Sequence, residues 1–337
     1  MTAADELPTV SVVFLAYNRI DPLRVSLAHM IDGGYPADRL ELIVVDNAST
    51  DGTADTIEAE YPHVRVIRSP RNIGAPAWNL GFGAATGEYV LILDDDAYLP
   101  AGALTRAVES ARQFDAALVS FAVASSFDPD HPLTDDWRTG LLSFWGCAAL
   151  VRTESLQALG GYDPQMFIWA NEVDLTMRLL DRGDRHLHMP EICAVHLKER
   201  TVDFEPRRYL VNARHHAYIA AKLMRPRDAA VALFHIVEQS AIDGTFGDRI
   251  ALAGVREAIA GFREGLRFRR PVRPAVSRVY LRNFHPYASP WRFRRSPIER
   301  VQGRGRPVAE TDGAERLARF YDDRAAFYPA GPGSLQI

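Results

Sequence analysis

The sequence predicts an α/β fold with a mainly parallel sheet flanked by helices, and three observations carry that expectation. Apolar runs of strand length at Val10–Ala16, 40–45, 63–68 and 89–93 alternate with segments of helical pattern, as in successive βαβ units. The first and last of these runs lack polar alternation, which fits strands covered by helices on both faces. The last run ends in Asp94, Asp95 and Asp96, at the carboxyl end of a strand, where open α/β sheets bind ligands.

In order, the first strand leads through Tyr17, Asn18 and Arg19 into a helix reaching about Met30. The second ends at Asp46, and Ser49 or Thr50 is placed to cap the helix Thr53–Glu60. A short strand at 63–68 precedes the loop of Arg71, Asn72, Ile73 and Gly74 and a helix of small residues at 75–85. After the three aspartates come a helix at 101–113, a strand at 116–124, a loop rich in Asp, Pro and His at 126–138, and a strand at 141–152. Gly146 stands in the middle of that strand, and glycine there marks a bulge or a close backbone approach. A short helix at 153–159 closes at Gly160 and Gly161. Another opens at Asn171, its expected cap, and ends at Gly183. Strands at 185–189 and 192–197 complete the sheet, the second carrying His196. Residues 205–224, 229–242 and 249–264 read as helices. The expected organisation is a domain at 1–203, a helical extension at 204–262 and an Arg/aromatic-rich region at 263–337. The Gly/Pro-rich end from 329 is expected to be mobile.

With 337 residues, 47% of them apolar, the chain can bury a sizeable core. A net charge of −4 argues against nucleic acid as a partner. Cys147 and Cys193 match neither a metal-ligand spacing nor a disulfide framework, which fits a reducing cytoplasm. The N-terminus has no signal-peptide core, and no uncharged apolar run reaches the ~18 residues of a membrane span. The expected location is cytoplasmic, at most peripheral at the inner face of the membrane.

Three adjacent carboxylates repel one another unless a hard cation such as Mn²⁺ or Mg²⁺ sits among them. The alternative is a solvated acidic turn before the next helix. Asp46 lies beside the tip of the first strand, where it can accept from a base or ribose edge, with the backbone of Ala16 to Arg19 and the Tyr17 ring alongside. The alternatives are an Asx turn for Asp46 and edge packing for Tyr17. No G-x-x-x-x-G-K-[ST] occurs, and no G-x-G-x-x-G follows the first strand. A diphosphate handled without those glycines needs its charge offset otherwise, and a cation on Asp96 would do so. His196 is either a second ligand or a structural histidine. Glu172 and Asp174 complement a helix N-terminus, or one of them is a general base. Phe167, Ile168 and Trp169 would then exclude water and raise its pKa.

Taken together, VSVVFLAYNR, VVDNASTDGT, RNIGAPAWNLGFGAATGEYVLILDDD, the Trp145-Gly146 stretch and LGGYDPQMFIWANEVDLTMRLLDRG followed by His196 resemble the inverting family 2 glycosyltransferases of GT-A fold, over residues 8–200. The resemblance implies that Asp46 contacts the base, and that Asp94 and Asp96 end a D-x-D motif. Asp94 would lie toward the ribose, and Asp96 with His196 on the metal. Ala16, Tyr17, Asn18, Arg19, Asn72, Asp95 and Gly146 would complete the donor site. Glu172 falls where the family's base stands, with Asp174 as its rival. Asn171 replaces an acid frequent at that place.

The implied function is metal-dependent inverting transfer from a nucleotide-diphosphate sugar, with UDP or dTDP expected. The acceptor would be a hydroxyl on a saccharide, a lipid-linked saccharide or a small natural product, in polysaccharide or natural-product biosynthesis. A non-catalytic nucleotide-sugar or glycan-binding module is the alternative, and Asn171 favours it. A sugar nucleotidyltransferase lacks support because its Gly-rich basic N-terminal signature is missing. A processive synthase lacks support because Q-x-x-R-W is missing. Residues 263–306 hold 13 arginines against two acids, with aromatics between. They read as a peripheral contact with an anionic membrane near a lipid-linked acceptor, or as the intersubunit arm of a homo-oligomer.

Overall fold

The computed structural model describes residues 7–125, 128–132, 143–197, 206–245 and 249–283. The chain divides into two compact units after Val202.

The first unit holds a nine-stranded mixed sheet. Its strands are β1 (Val10–Ala16), β2 (Leu40–Asp46), β3 (Arg65–Arg68), β4 (Tyr89–Asp94), β5 (Ala97–Tyr98), β6 (Ala116–Ser125), β7 (Asp128–Pro132), β8 (Ala148–Arg152) and β9 (Arg185–His196). They run in the order β3-β2-β1-β4-β8-β6-β9-β5, with β7 beside β6. β1 to β4 are mutually parallel, and β8 is inserted antiparallel between β4 and β6. The helices are α1 (Ile20–Ile31), α2 (Thr53–Glu60), α3 (Trp78–Ala84), α4 (Ala103–Gln113), α5 (Thr153–Ala158) and α6 (Asn171–Arg182).

β1 shows why the sheet is buried on both faces. Val12 and Phe14 join a core with Leu23 and Leu27 of α1, whereas Val13 joins a core with Trp78 and Phe82 of α3. Strand order reverses at β1, since β2 and β3 lie to one side and β4 to the other. The loops after β1 and β4 therefore leave the sheet side by side, at a topological switch point.

Several local expectations change. β8 starts at Ala148, so Gly146 lies in the loop before the strand rather than within it. Residues 185–196 form one strand, and its ladder with β6 jumps from Met189 to Cys193 past Pro190, which has no N–H to donate. Part of the expected loop at 126–138 forms β7. Ser49 and Thr50 do not cap α2. Gly52, at φ +83°, holds the N-cap position, and Asp51 just before it accepts from Thr53 N at 3.0 Å. Ser49 Oγ instead accepts from Asn18 N at 3.0 Å, and Thr50 N donates to Asn18 Oδ1 at 2.7 Å, so these residues tie the loops after β1 and β2 together. Asn171 is no cap either. Ala170, at φ +63°, takes that position, and Asn171 is fully buried inside the first turn.

The second unit contains α7 (Pro206–Leu223), α8 (Pro226–Thr245), α9 (Arg249–Arg267) and α10 (Pro274–Asn283). α9 packs its small residues on α7: a Cβ at Gly261 or Gly265 would overlap the Arg214 or Tyr218 carbonyl oxygen. Arg214 of α7 reaches back to Glu257 at 3.0 Å and Glu264 at 2.8 Å. Residues 284–306 of the arginine-rich stretch, and the end from 329, lie outside the described residues. Among those described, no helix is long and apolar enough to cross a membrane.

Candidate active site

β4 delivers Asp94 at its last residue, and Asp95 and Asp96 form the turn into β5. β5 is only two residues long, but it pairs antiparallel with the end of β9, Ala97 opposite His196. Leu197 N donates to Asp96 O at 2.7 Å. That pairing carries His196 across 100 residues of sequence to the aspartates, with Nε2 3.0 Å from Asp96 Oδ1 and 3.8 Å from Asp94 Oδ2. One ligand atom from each of Asp94, Asp96 and His196 lies within 4.8 Å of the others. Opposite ligands of an octahedral ion stand roughly 4.2 Å apart and adjacent ones roughly 3.0 Å, so the three lie near the spacing at which they could share one cation.

Arg19 enters from the loop after β1. Its Nη1 is 3.2 Å from Asp95 Oδ1 and its Nη2 is 2.7 Å from Asp96 Oδ2. The second contact pairs the guanidinium with the buried Asp96 Oδ2. Burial is the largest influence on Asp95. It pushes the carboxyl up to about 7, with the charges of Asp94 and Asp96 adding and Arg19 opposing. Burial also opposes ionisation of Asp96, but the hydrogen bond and charge of His196, together with Arg19, outweigh it and hold Asp96 below its ordinary value. An ionised carboxylate beside an imidazole, with the Asp94 carboxylate within reach, is a donor set that fits Mn²⁺ or Mg²⁺.

The other acid is set by α6. Trp169 and Ala170 both adopt positive φ, +62° and +63°, a conformation that costs non-glycine residues of order 1–3 kcal/mol each. This strained step starts the helix, and Glu172 follows in its first turn. The Glu172 carboxyl lies over Gly146, where a Cβ would overlap its Oε1 and come within 3.2 Å of its Cδ. The next residue, Cys147, accepts at its carbonyl from Asp94 N at 3.2 Å. Gly146 and Cys147 thus stand between the two acids. Both acids also act on one phenol: burial first, then the charges of Glu172 and Asp94, push the Tyr162 hydroxyl well above its ordinary pKa. The Tyr162 hydroxyl, Trp145 Nε1 and the Asn171 amide are buried without hydrogen-bond partners among the described residues.

The remaining expected residues separate into two groups. Tyr17 donates its backbone N–H to Asp95 Oδ2 at 3.4 Å and leaves its ring 44% exposed, so it is not edge packing. Ala16 and Asp46 face each other across β1 and β2, and the nearly buried Asp46 carboxylate accepts from Ser49 N at 3.2 Å in an Asx turn. Asn72 Oδ1 accepts from Asn47 Nδ2 and Gly74 N, both at 3.0 Å, shaping the loop whose Ala75 N donates to Phe167 O at 2.7 Å. Phe167 is 43% exposed, and Glu172 is partly buried.

Asp174 requires correction. It has no exposed surface, and its Oδ2 accepts from Arg178 Nε at 2.7 Å. Arg178 also donates to the carbonyls of Leu159 at 2.9 Å and Gly161 at 2.6 Å. A paired carboxylate closed to solvent is not placed to take a proton from an incoming acceptor, so Asp174 is a structural residue. Asp174→Ala leaves Arg178 uncompensated and is expected to cost about 3–5 kcal/mol, measured by chemical denaturation. A loss below ~1 kcal/mol would contradict this.

Sequence reasoning missed the Arg19 bridge, the Tyr162 hydroxyl and the reason for Gly146. A glycine two residues before a strand carried the only signal of the last.

Residues 11–167 match the family model described as Glycosyl transferase family 2. Over that stretch the chain is similar to glycosyl transferase family 2. The chain is 24% identical over 267 residues to the N-acetylglucosaminyl-diphospho-decaprenol L-rhamnosyltransferase of Mycobacterium tuberculosis, covering 63% of this chain and 82% of that protein. Two solved structures are similar. One is the mannosyltransferase PcManGT from Pyrobaculum calidifontis in complex with GDP-Man and Mn²⁺, at TM-score 0.53 and 20% identity over 96% of this chain and 84% of that one. The other is S. aureus TarS 1-349 in complex with UDP-GlcNAc, at TM-score 0.55 and 16% identity over 89% and 93%. They bear out the GT-A fold. The chain spans under half the length of several curated relatives, 48% of one, 34% of another and 16% of a third.

Proposed function

We propose that this chain is an inverting glycosyltransferase that moves a sugar from a nucleotide-diphosphate donor to an acceptor hydroxyl. The observation that carries this is the placement of Asp94 and Glu172 on either side of the Gly146 and Cys147 step, with Asp96 and His196 beside Asp94. Asp94, Asp96 and His196 would hold Mn²⁺ or Mg²⁺. When bound there, the ion offsets negative charge on the departing diphosphate. Glu172 takes the proton from the acceptor hydroxyl as its oxygen attacks the anomeric carbon. The bond to the diphosphate breaks on the opposite face and its electron pair leaves with the diphosphate, which inverts the configuration.

The strand tips support a nucleotide site, with the exposed Tyr17 ring free to stack and Asp46, Asn18 and Asn72 shaping the loops beside it. PcManGT was solved with GDP-Man and TarS with UDP-GlcNAc. UDP or dTDP remains this chain's expected nucleotide. The rhamnosyltransferase relative supports a lipid-linked saccharide as acceptor, and with it a peripheral place at the inner membrane face. Residues 1–203 would carry the chemistry, with 204–262 as a helical extension and 263–337 as its arginine-rich continuation.

Nucleoside diphosphate release tests this reading. Incubation with UDP-, dTDP- and GDP-sugars should release it from one of them with Mn²⁺ and not with EDTA. Binding without release from any donor would favour the non-catalytic module that Asn171 suggested.

Gly146→Ala gives a sharper expectation. The added methyl moves only the flexible end of Glu172, so the melting temperature should hold. Misplacing a catalytic group by about 1 Å costs roughly a hundredfold in rate, so transfer should fall by that order with donor affinity unchanged. Wild-type turnover would show that Glu172 need not lie over residue 146.

A further inference from the structure

We propose that α9 docks on an anionic lipid bilayer through an exposed ridge of leucine, isoleucine and arginine. Leu252, Ile259 and Leu266 are 56%, 39% and 47% exposed. Their spacing of seven sets them in one line along the helix. Val255 and Phe262, half-buried, fall between them and make the stripe continuous. Arg256, Arg263 and Arg267 run alongside, all exposed, and form no ion pair among the described residues. The two acids of the same helix, Glu257 and Glu264, are taken by Arg214 of α7.

The ridge therefore shows apolar side chains next to unpaired cations, with its acids already neutralised. That is the face of a helix lying in a membrane interface. Aliphatic ends enter the acyl boundary while the guanidinium groups reach headgroup phosphates. Charge argues against a second copy of this chain as the occupant, because a symmetric pairing would bring arginine rows together without acids to meet them. The inference concerns a surface of the second unit and stands whether or not the transfer reading holds.

The full chain is sedimented with vesicles of phosphatidylcholine alone and of phosphatidylcholine with phosphatidylglycerol, at low and high salt, without donor or metal. Wild type should bind the anionic vesicles at low salt and lose them at high salt. Each arginine near such a surface contributes about 1 kcal/mol, so Arg256→Gln/Arg263→Gln/Arg267→Gln should weaken binding by roughly a hundredfold. Leu252→Ser/Ile259→Ser/Leu266→Ser should weaken it by more than about tenfold. Both variants should keep wild-type melting curves and nucleoside diphosphate release. The proposal is overturned if wild type ignores anionic vesicles at low salt, or if both variants bind as wild type does. It is also overturned if the ridge instead drives self-association that the variants abolish.

Discussion

Glu172→Gln should abolish sugar transfer, lowering the rate by a factor of about 10²–10⁴, while donor binding is retained. General-base catalysis contributes on that order. The substitution keeps the side chain's shape, so it still fits over Gly146, and it removes only the capacity to accept a proton. The effect should fall on the chemical step, with unchanged donor affinity by calorimetry and unchanged thermal stability. It also separates proton transfer from position: Gly146→Ala leaves a carboxylate present but displaced, whereas Glu172→Gln leaves the geometry and removes the base. Unimpaired turnover by Glu172→Gln would place the base elsewhere.

The second large effect is expected at Asp96. Asp96→Ala deletes the carboxylate that His196 and Arg19 both contact. It should abolish the Mn²⁺ dependence of nucleotide binding and reduce transfer by roughly a thousandfold or more, because an ion at a leaving diphosphate supplies several kcal/mol of charge stabilisation. Asp96→Asn keeps the volume and a hydrogen-bond acceptor for His196, so a matching loss in both variants assigns the effect to the charge rather than to collapse of the turn. Titration of nucleoside diphosphate with and without Mn²⁺ reads this directly. Undiminished Mn²⁺ enhancement in Asp96→Asn would remove Asp96 from the metal site.

The parts of this site legible in the sequence are those that local pattern dictates. β1 and β4 are apolar on both faces because helices cover both, and the aspartates had to emerge at the end of such a strand. α6 was marked by Gly183 at its end, where φ is +95°. What stayed hidden is set by tertiary approach. The need for glycine at 146 comes from a side chain 26 positions later. His196 was a plausible ligand, but the two-residue strand that brings it to Asp96 is too short to leave a periodic pattern. Asp174 looked equivalent to Glu172 as an acid in the first turn of a helix. Only burial and the Arg178 pair distinguish them. Thr50 and Ser49 have the chemistry of helix caps, and a cross-loop bond to Asn18 competed successfully for both. Pro190 suggested two strands where one passes through with a gap in its ladder.

Anomalous diffraction at the manganese edge, from crystals of the full chain soaked with MnCl₂ and UDP or dTDP, bears most directly on the central claim. The expected map has one strong peak bridging Asp96, His196 and the nucleotide's diphosphate, with Asp94 alongside. A nucleotide bound at the strand tips with no anomalous peak among those three side chains would contradict the account.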